Sequence, residues 1–264
     1  MSKNIVITGG TRGLGFAMAG EFLNAGCAVA LCGTTAERVA SALQRLDPPR
    51  GSAGQVYGDV CDVRNREAVE IFWNRVRGEF GAIDIWINNT GISQQVLPLW
   101  EIETADIEAL VHTNILGVIY GSQVAMQGML RQGHGAIYSM EGLGSGGEHR
   151  GKLTLYGTSK CAVRYFTRGL SIEAEGTPIL IGTLSPGMMV TDFLLSALPD
   201  RSQQSSATRR MINTLADRPE TVAKFLVPKI LTNQRRNAHF AWLTAPKVLW
   251  RFLSLPFVRR DLLP

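Results

Sequence analysis

Apolar and polar positions along this chain follow two periods. Short runs such as Ile5-Val6-Ile7 and Ile85-Trp86-Ile87 are apolar at every position, the pattern of strands buried on both faces. Between them, apolar residues return every three or four positions, as at Val69, Phe72, Trp73 and Val76, which places them on one face of a helix. The pattern predicts strands in the run from residue 4 and at 27–31, 55–58, 83–87, 135–139, 179–184 and 239–243. It predicts helices at 16–25, 36–46, 64–80, 106–131 and 156–175, the fourth read as one helix or as two meeting near Asn114. Repeated β-α units point to an α/β fold with a doubly wound parallel sheet flanked by helices.

At 264 residues the chain suits one large α/β domain with a sizeable core, and we expect residues 1–264 to form a single domain. A composition 45% hydrophobic and 19% charged excludes a disordered chain. The formal charge of +5 gathers at the end, where Lys229, Arg235, Arg236, Lys247, Arg251, Arg259 and Arg260 face a single acid, Asp261. The rest is close to neutral, and no nucleic-acid partner is expected. Cys27, Cys32, Cys61 and Cys161 are scattered without metal-ligand spacing, so no metal site or disulfide framework is expected, and a reducing compartment fits. The strand pattern begins within four residues of Met1 and no apolar run approaches about 18 residues, which predicts no signal peptide and no membrane span.

Two stretches carry chemistry. Thr8-Gly9-x-x-x-Gly13-x-Gly15 follows the first strand and opens a helix. Such a turn aims backbone N–H groups and a helix dipole at a phosphate, and its glycines let the backbone approach closely. Tyr156-Gly-Thr-Ser-Lys160 puts a phenol and an ammonium one helical turn apart. A phenol ionises near about 10, and a neighbouring cation draws it toward the working range of a proton donor. Residues 192–218, rich in Ser, Gln and Arg after Ser185-Pro186-Gly187, read either as a lid over the carboxyl ends of the strands or as a plain surface excursion.

Together with Asp62-Val63, Asn88-Asn89-Thr90-Gly91, Asn114 and Pro186-Gly187-x-x-x-Thr191, these motifs resemble the short-chain dehydrogenase/reductase family, in order and over nearly the whole chain. The resemblance implies a single Rossmann-type domain binding NAD(H) or NADP(H). It implies Tyr156 as proton donor, Lys160 lowering its pKa and holding the nicotinamide ribose, and Asn114 holding a relay water. The cofactor would be held by Gly9, Thr11, Arg12, Gly13, Leu14, Gly15 and Thr34 on the phosphate and ribose side, and by Asp62 and Val63 at the adenine. Asn89 and Gly91 would lie by the adenosine ribose, and Pro186, Gly187, Met189 and Thr191 at the nicotinamide end, with Tyr156 and Lys160. A homo-oligomer is expected from the same resemblance. No acid ends the second strand, which reads Gly33-Thr34-Thr35, and Arg12 supplies a cation; both favour NADPH over NADH.

The family's catalytic serine is missing. Its usual place, thirteen residues before the tyrosine, is Leu143, or Gly142 with a one-residue insertion, and Ser145 is the expected replacement, ahead of Ser139. Further stretches, Ile83-Asp-Ile-Trp-Ile-Asn-Asn89, Glu141-Gly-Leu-Gly-Ser145, Leu215-Ala-Asp-Arg-Pro-Glu220 and Val222-Ala-x-x-Leu-Val-Pro228, are similar to the chlorophyll b reductase branch, although Glu141 stands where that branch has Asp. That implies reduction of a 7-formyl to a 7-hydroxymethyl group on chlorophyll b, in cytoplasm or at the face of a thylakoid-type membrane. The apolar and basic segment 238–264 fits membrane-surface contact, a greasy substrate cleft or a docked terminal helix. Two rival readings stay open: the same hydride chemistry on another hydrophobic carbonyl or alcohol, and a non-catalytic dinucleotide-binding protein.

Overall fold

A computed structural model describes residues 2–46, 54–191, 206–255 and 260–262. Its strands are β1 (Asn4–Ile7), β2 (Ala28–Gly33), β3 (Val56–Val60), β4 (Ile85–Asn88), β5 (Gly135–Met140), β6 (Ile179–Ser185) and β7 (Ala238–Ala241). They pair in parallel in the order β3-β2-β1-β4-β5-β6-β7. The order reverses between β1 and β4, and the carboxyl ends of those two strands flank the crevice where such sheets bind ligands.

The helices are α1 (Gly13–Asn24), α2 (Ala36–Arg45), α3 (Arg66–Phe80), α4 (Thr104–Val111), α5 (Gly117–Gln132), α6 (Thr154–Glu173), α7 (Ser206–Leu215), α8 (Pro219–Thr232) and α9 (Ala245–Ser254). Met18 and Phe22 of α1, Val39 and Ala42 of α2, and Val222 and Leu226 of α8 cover one face of the sheet. Phe72 and Trp73 of α3, with Val124 and Met129 of α5, cover the other.

The stretch expected at 106–131 is interrupted where the two-helix reading placed the joint. A π-helical turn at His112–Leu116 separates α4 from α5 and carries Asn114, which is fully buried. Helix α3 starts at Arg66 because Asn65 caps it, its side chain accepting from Ala68 N, so Asp62 lies outside the helix. The pattern reading did not include α8. Pro228 inside it argues against a helix locally, yet Val222, Ala223, Leu226, Val227 and Ile230 bury a continuous stripe. The expected last strand starts one residue earlier and ends two earlier, at Ala238–Ala241. Residues 192–205 of the expected lid fall outside the described residues, and the remainder begins with α7.

Helices α3 and α5 meet where Gly128 faces an indole. A Cβ there would fall 2.0 Å from Trp73 Cζ2, so the large ring packs only against a bare backbone. Gly128→Ala should therefore destabilise the chain by about 1–3 kcal/mol, although alanine is the better helix former. Equilibrium denaturant unfolding measures this, and an unchanged midpoint would show that Trp73 shifts without penalty.

Candidate active site

The carboxyl ends of the strands open into a cleft of about 1140 Å³. Gly9, Thr11, Arg12, Gly13, Leu14 and Gly15 line it at β1 and α1, with Thr34 after β2 and Asp62 and Val63 after β3. Asn89 and Gly91 line it after β4, Tyr156 and Lys160 on α6, and Pro186, Gly187, Met189 and Thr191 after β6. Each residue expected to hold the cofactor thus borders the same cavity. Met211, Ile212 and Leu215 of α7 and Leu243 add an apolar wall.

The glycine turn has the shape a dinucleotide needs. Gly9 and Gly13 have φ of +64° and +57°, values that side chains with a Cβ disfavour. A Cβ at Gly15 would lie 2.5 Å from Asn89 Nδ2 and 2.7 Å from Gly9 O. No side chain caps the first turn of α1, which leaves its N–H groups for an anion. The turn is braced from β4. Thr8 Oγ1 accepts from Asn89 N and Thr90 N at 3.0 and 3.2 Å, and Asn89 Nδ2 donates to the Thr8 and Gly9 carbonyls at 2.9 and 3.1 Å. Asn88 is a core residue, bonded to Trp86 Nε1 and Ser122 Oγ.

Tyr156 and Lys160 sit at the inner end of the cleft. Gln94 ties the start of α6 in place, its Oε1 accepting from Tyr156 N at 2.7 Å while its Nε2 donates to Lys152 O at 2.9 Å. Lys160 is 4% exposed, and its Nζ donates to Met140 O at 3.1 Å. Asn114 is locked to the loop after β4: its Oδ1 accepts from Ile92 N at 2.8 Å, and its Nδ2 donates to Ile92 O and Ser159 Oγ. A Cβ at Gly91 would come within 3.4 Å of Asn114 Oδ1 and 3.5 Å of Lys160 Nζ, so the amide and the ammonium approach the same point.

Burial dominates the ionisation of the pair. It pushes the Tyr156 phenol above its ordinary value and drives the Lys160 ammonium down to about 8. The first direction is opposite to the one expected from the lysine alone. Lys160 Nζ lies 5.9 Å from the Tyr156 ring centre, and desolvation by surrounding protein outweighs its pull.

The missing serine has a clear location. A Cβ at Gly142 would fall 2.5 Å from Tyr156 Oη and 3.1 Å from Lys160 Cγ, so Gly142 is the residue that faces the phenol. The Ser145 hydroxyl, expected in its place, is engaged elsewhere. Its Oγ accepts from Gly142 N at 3.1 Å and donates to Lys160 O at 3.0 Å, and it is absent from the cleft wall; its hydroxyl fastens the loop to α6. Ser139 is buried within β5 and also lies off the cleft wall. Close packing requires the glycines here, since a Cβ at Gly144 would lie 2.5 Å from Gly157 Cα.

Several residues in or behind the cleft had no role in the sequence reading. Arg38 and Arg64 line its outer end beside Arg12; Arg64 is paired with Asp62 at 2.6 Å, and the arginine holds that carboxyl below its usual range. Gln94 carries no motif signal. Asp217 accepts from Trp242 Nε1, Arg251 and Arg260 at 2.6, 2.5 and 2.6 Å. Its backbone bonds Met188 O and Val190 N, which fastens the loop bearing Met189 to the C-terminal elements. Burial raises the Asp217 carboxyl, but the hydrogen bonds from Arg251, Trp242 and Arg260 prevail and hold it low. Helix α9 is thus docked through Arg251, while Leu249, Trp250 and Leu253 stay 61–69% exposed. No described helix is long and apolar enough to cross a membrane, and no cluster of metal-ligating side chains occurs among the described residues.

A family model for short chain dehydrogenases matches residues 3–202. A probable chlorophyll(ide) b reductase, chloroplastic, of Arabidopsis thaliana is 36% identical over 94% of this chain and 52% of its own length. A second chloroplastic chlorophyll(ide) b reductase of that plant is 37% identical over 95% of this chain and 73% of its own. The chain spans about half the length of the first of these relatives. Among solved structures, an alcohol dehydrogenase of Thermococcus sibiricus complexed with 5-hydroxy-NADP superposes with a TM-score of 0.77 at 22% identity, covering 93% of this chain and 97% of that one. Levodione reductase gives 0.80 at 23%, covering 94% and 98%. At these identities the structural likeness concerns the fold.

Lys160 leaves a signature in stability. A lysine with a lowered pKa binds fewer protons folded than unfolded between about 8 and its unfolded value near about 10.4. Raising the pH through that window therefore stabilises the folded chain. Lys160→Met abolishes the effect, so the stability of the variant relative to wild type should fall by about 3 kcal/mol from pH 8 to pH 10.5. Chemical unfolding at a series of pH values measures this, and a constant difference would place the ammonium in contact with water.

Proposed function

The chain belongs to the short-chain dehydrogenase family, and on that premise we propose that it reduces the 7-formyl group of chlorophyll b to a 7-hydroxymethyl group, with NADPH as reductant. The observation that carries the reductase reading is a single cleft bordered by the glycine turn at one end and by Tyr156 and Lys160 at the other. The pigment is supported by the likeness to chlorophyll(ide) b reductases, at 36–37% identity across nearly all of this chain.

NADPH would supply the hydride that reaches the formyl carbon. Gly9 to Gly15 would hold its pyrophosphate on the N-terminus of α1, and Lys160 its nicotinamide ribose. Tyr156 gives its proton to the carbonyl oxygen as negative charge develops there. Lys160 stabilises the phenolate that results, and Asn114, bonded to the Ile92 backbone on both sides of its amide, holds a water that returns the proton. The raised pKa of the buried phenol keeps Tyr156 protonated before the reaction, as a donor requires. Gly142 lies against the phenol oxygen with no room for a Cβ, so the position of the family's serine carries no hydroxyl.

The NADPH preference is supported by Arg12 and Arg38 on the cleft wall and by the absence of an acid at Thr34. The exposed Leu249, Trp250, Phe252 and Leu253 of α9 support contact with the lipid surface that holds such a pigment. Arg251 and Arg260 are bound to Asp217, so that contact would be mainly apolar.

Purified protein given chlorophyll b and NADPH should form the 7-hydroxymethyl pigment, resolved by chromatography, from detergent and from lipid vesicles alike. Tyr156→Phe should lose about 10²- to 10⁴-fold in turnover while keeping its NADPH affinity. Absence of product with intact NADPH binding would move the same chemistry to another carbonyl, and turnover in Tyr156→Phe would remove Tyr156 as the acid. Arg38→Ala should weaken NADPH binding about 10-fold or more and leave NADH binding unchanged; equal losses for both cofactors would exclude a 2'-phosphate contact.

A further inference from the structure

The strand end that wraps Lys160 has a middle residue with no part in the chemistry above. Met140 O accepts from Lys160 Nζ, and Gly142 lies against Lys160 Cγ and Tyr156 Oη. Between them stands Glu141, its side chain 2% exposed and its backbone N–H bonded to Leu184 O at 2.8 Å. A carboxylate so deeply buried is costly unless opposite charge compensates it. Its neighbours do this only at a distance. Arg164 Nε lies 3.6 Å from Oε1 and His239 Nδ1 3.7 Å from Oε2, both beyond hydrogen-bond length, and Oε1 has no hydrogen-bond partner.

Both neighbours are engaged elsewhere. Arg164 donates to Ser145 O at 3.2 Å, and His239 Nδ1 meets Thr183 Oγ1 at 2.9 Å. Arg164 is four residues beyond Lys160, so the two cations lie on one face of α6 and the carboxylate is buried against that face. Among the described residues, the ionisable groups around Lys160 are Tyr156 and Arg164 on its own helix and Glu141 after β5. Those around Glu141 are Lys160, Arg164 and, from β7, His239.

We propose that Glu141 is a positioning residue whose carboxylate keeps Lys160 in its charged form at the inner end of the cleft. This rests on the reading that Lys160 acts as an ammonium toward the cofactor ribose and the tyrosine. Burial opposes the charge on Lys160, and the carboxylate of Glu141, held between the two residues that touch the lysine, offsets part of that cost. In a site with little water, the field of that carboxylate is weakly screened.

The test is the dissociation constant for NADPH from pH 7 to pH 10, read by nucleotide fluorescence, for the wild type, Glu141→Gln and Glu141→Asp. Wild-type affinity should weaken through pH 8 as Lys160 loses its proton. In Glu141→Gln that midpoint should fall by about one pH unit, tenfold in proton affinity, while Glu141→Asp stays near the wild type. A residue with only a structural role would weaken binding equally at every pH; an unmoved midpoint, or a wild-type affinity flat across the range, overturns the proposal. Should Glu141→Gln fail to fold, Arg164→Gln removes the competing cation and should move the midpoint upward, and no movement there overturns it as well. The measurement needs no pigment, so its failure is distinct from a failure to reduce chlorophyll b.

Discussion

Seven parallel strands present their carboxyl ends on one edge, and the rest of the molecule follows from that. Backbone groups at these ends have no further strand to pair with, so the loops that leave them must satisfy one another. Thr8 and Asn89 do so between β1 and β4, and Asn114 does so for the loop after β4. Bonds that close the sheet edge are thus the same bonds that shape the cleft. Catalytic and binding candidates far apart in sequence meet there because parallel topology brings every second connection to the same side.

Within that cleft the dominant cost is the burial of Lys160. An ammonium 4% exposed would lose its proton readily, and the surroundings counter this with one carbonyl, Met140 O, and one incompletely bonded acid, Glu141. The glycines at 142 and 144 let the loop lie flat against α6, and position 142 carries no hydroxyl. Electrostatics and packing at this point are a single feature, because the same close approach produces both.

The C-terminal third is organised by a second buried acid. Asp217 gathers Trp242, Arg251 and Arg260, and through its backbone it fixes the 188–190 segment on the substrate side. Cations that looked like a membrane-facing patch in the sequence are, in two cases, internal ligands of this carboxylate. What remains outward on α9 is apolar, and Leu243 of the cleft's apolar wall lies two residues before it.

The fold class was legible because buried parallel strands and amphipathic helices have different periods, and because the glycine turn and the Tyr156 to Lys160 spacing are local geometries that a sequence states directly. Helix α8 was not legible, since Pro228 contradicts it locally and only packing against α1 recovers it. The role of Ser145 could not be read either: a hydroxyl in a glycine-rich loop points wherever the loop's contacts with α6 direct it, and here that is the backbone of Gly142 and Lys160. The direction of the Tyr156 ionisation was likewise set by burial, which depends on atoms brought together from distant parts of the chain. By itself the sequence determined the order of strands and helices, the glycine turn and the spacing of Tyr156 and Lys160, all of which depend on neighbours within a few residues. Tertiary structure alone decided which acids are buried, which cations they hold and how strongly Tyr156 and Lys160 are desolvated, because those depend on contacts between residues that are distant in the chain.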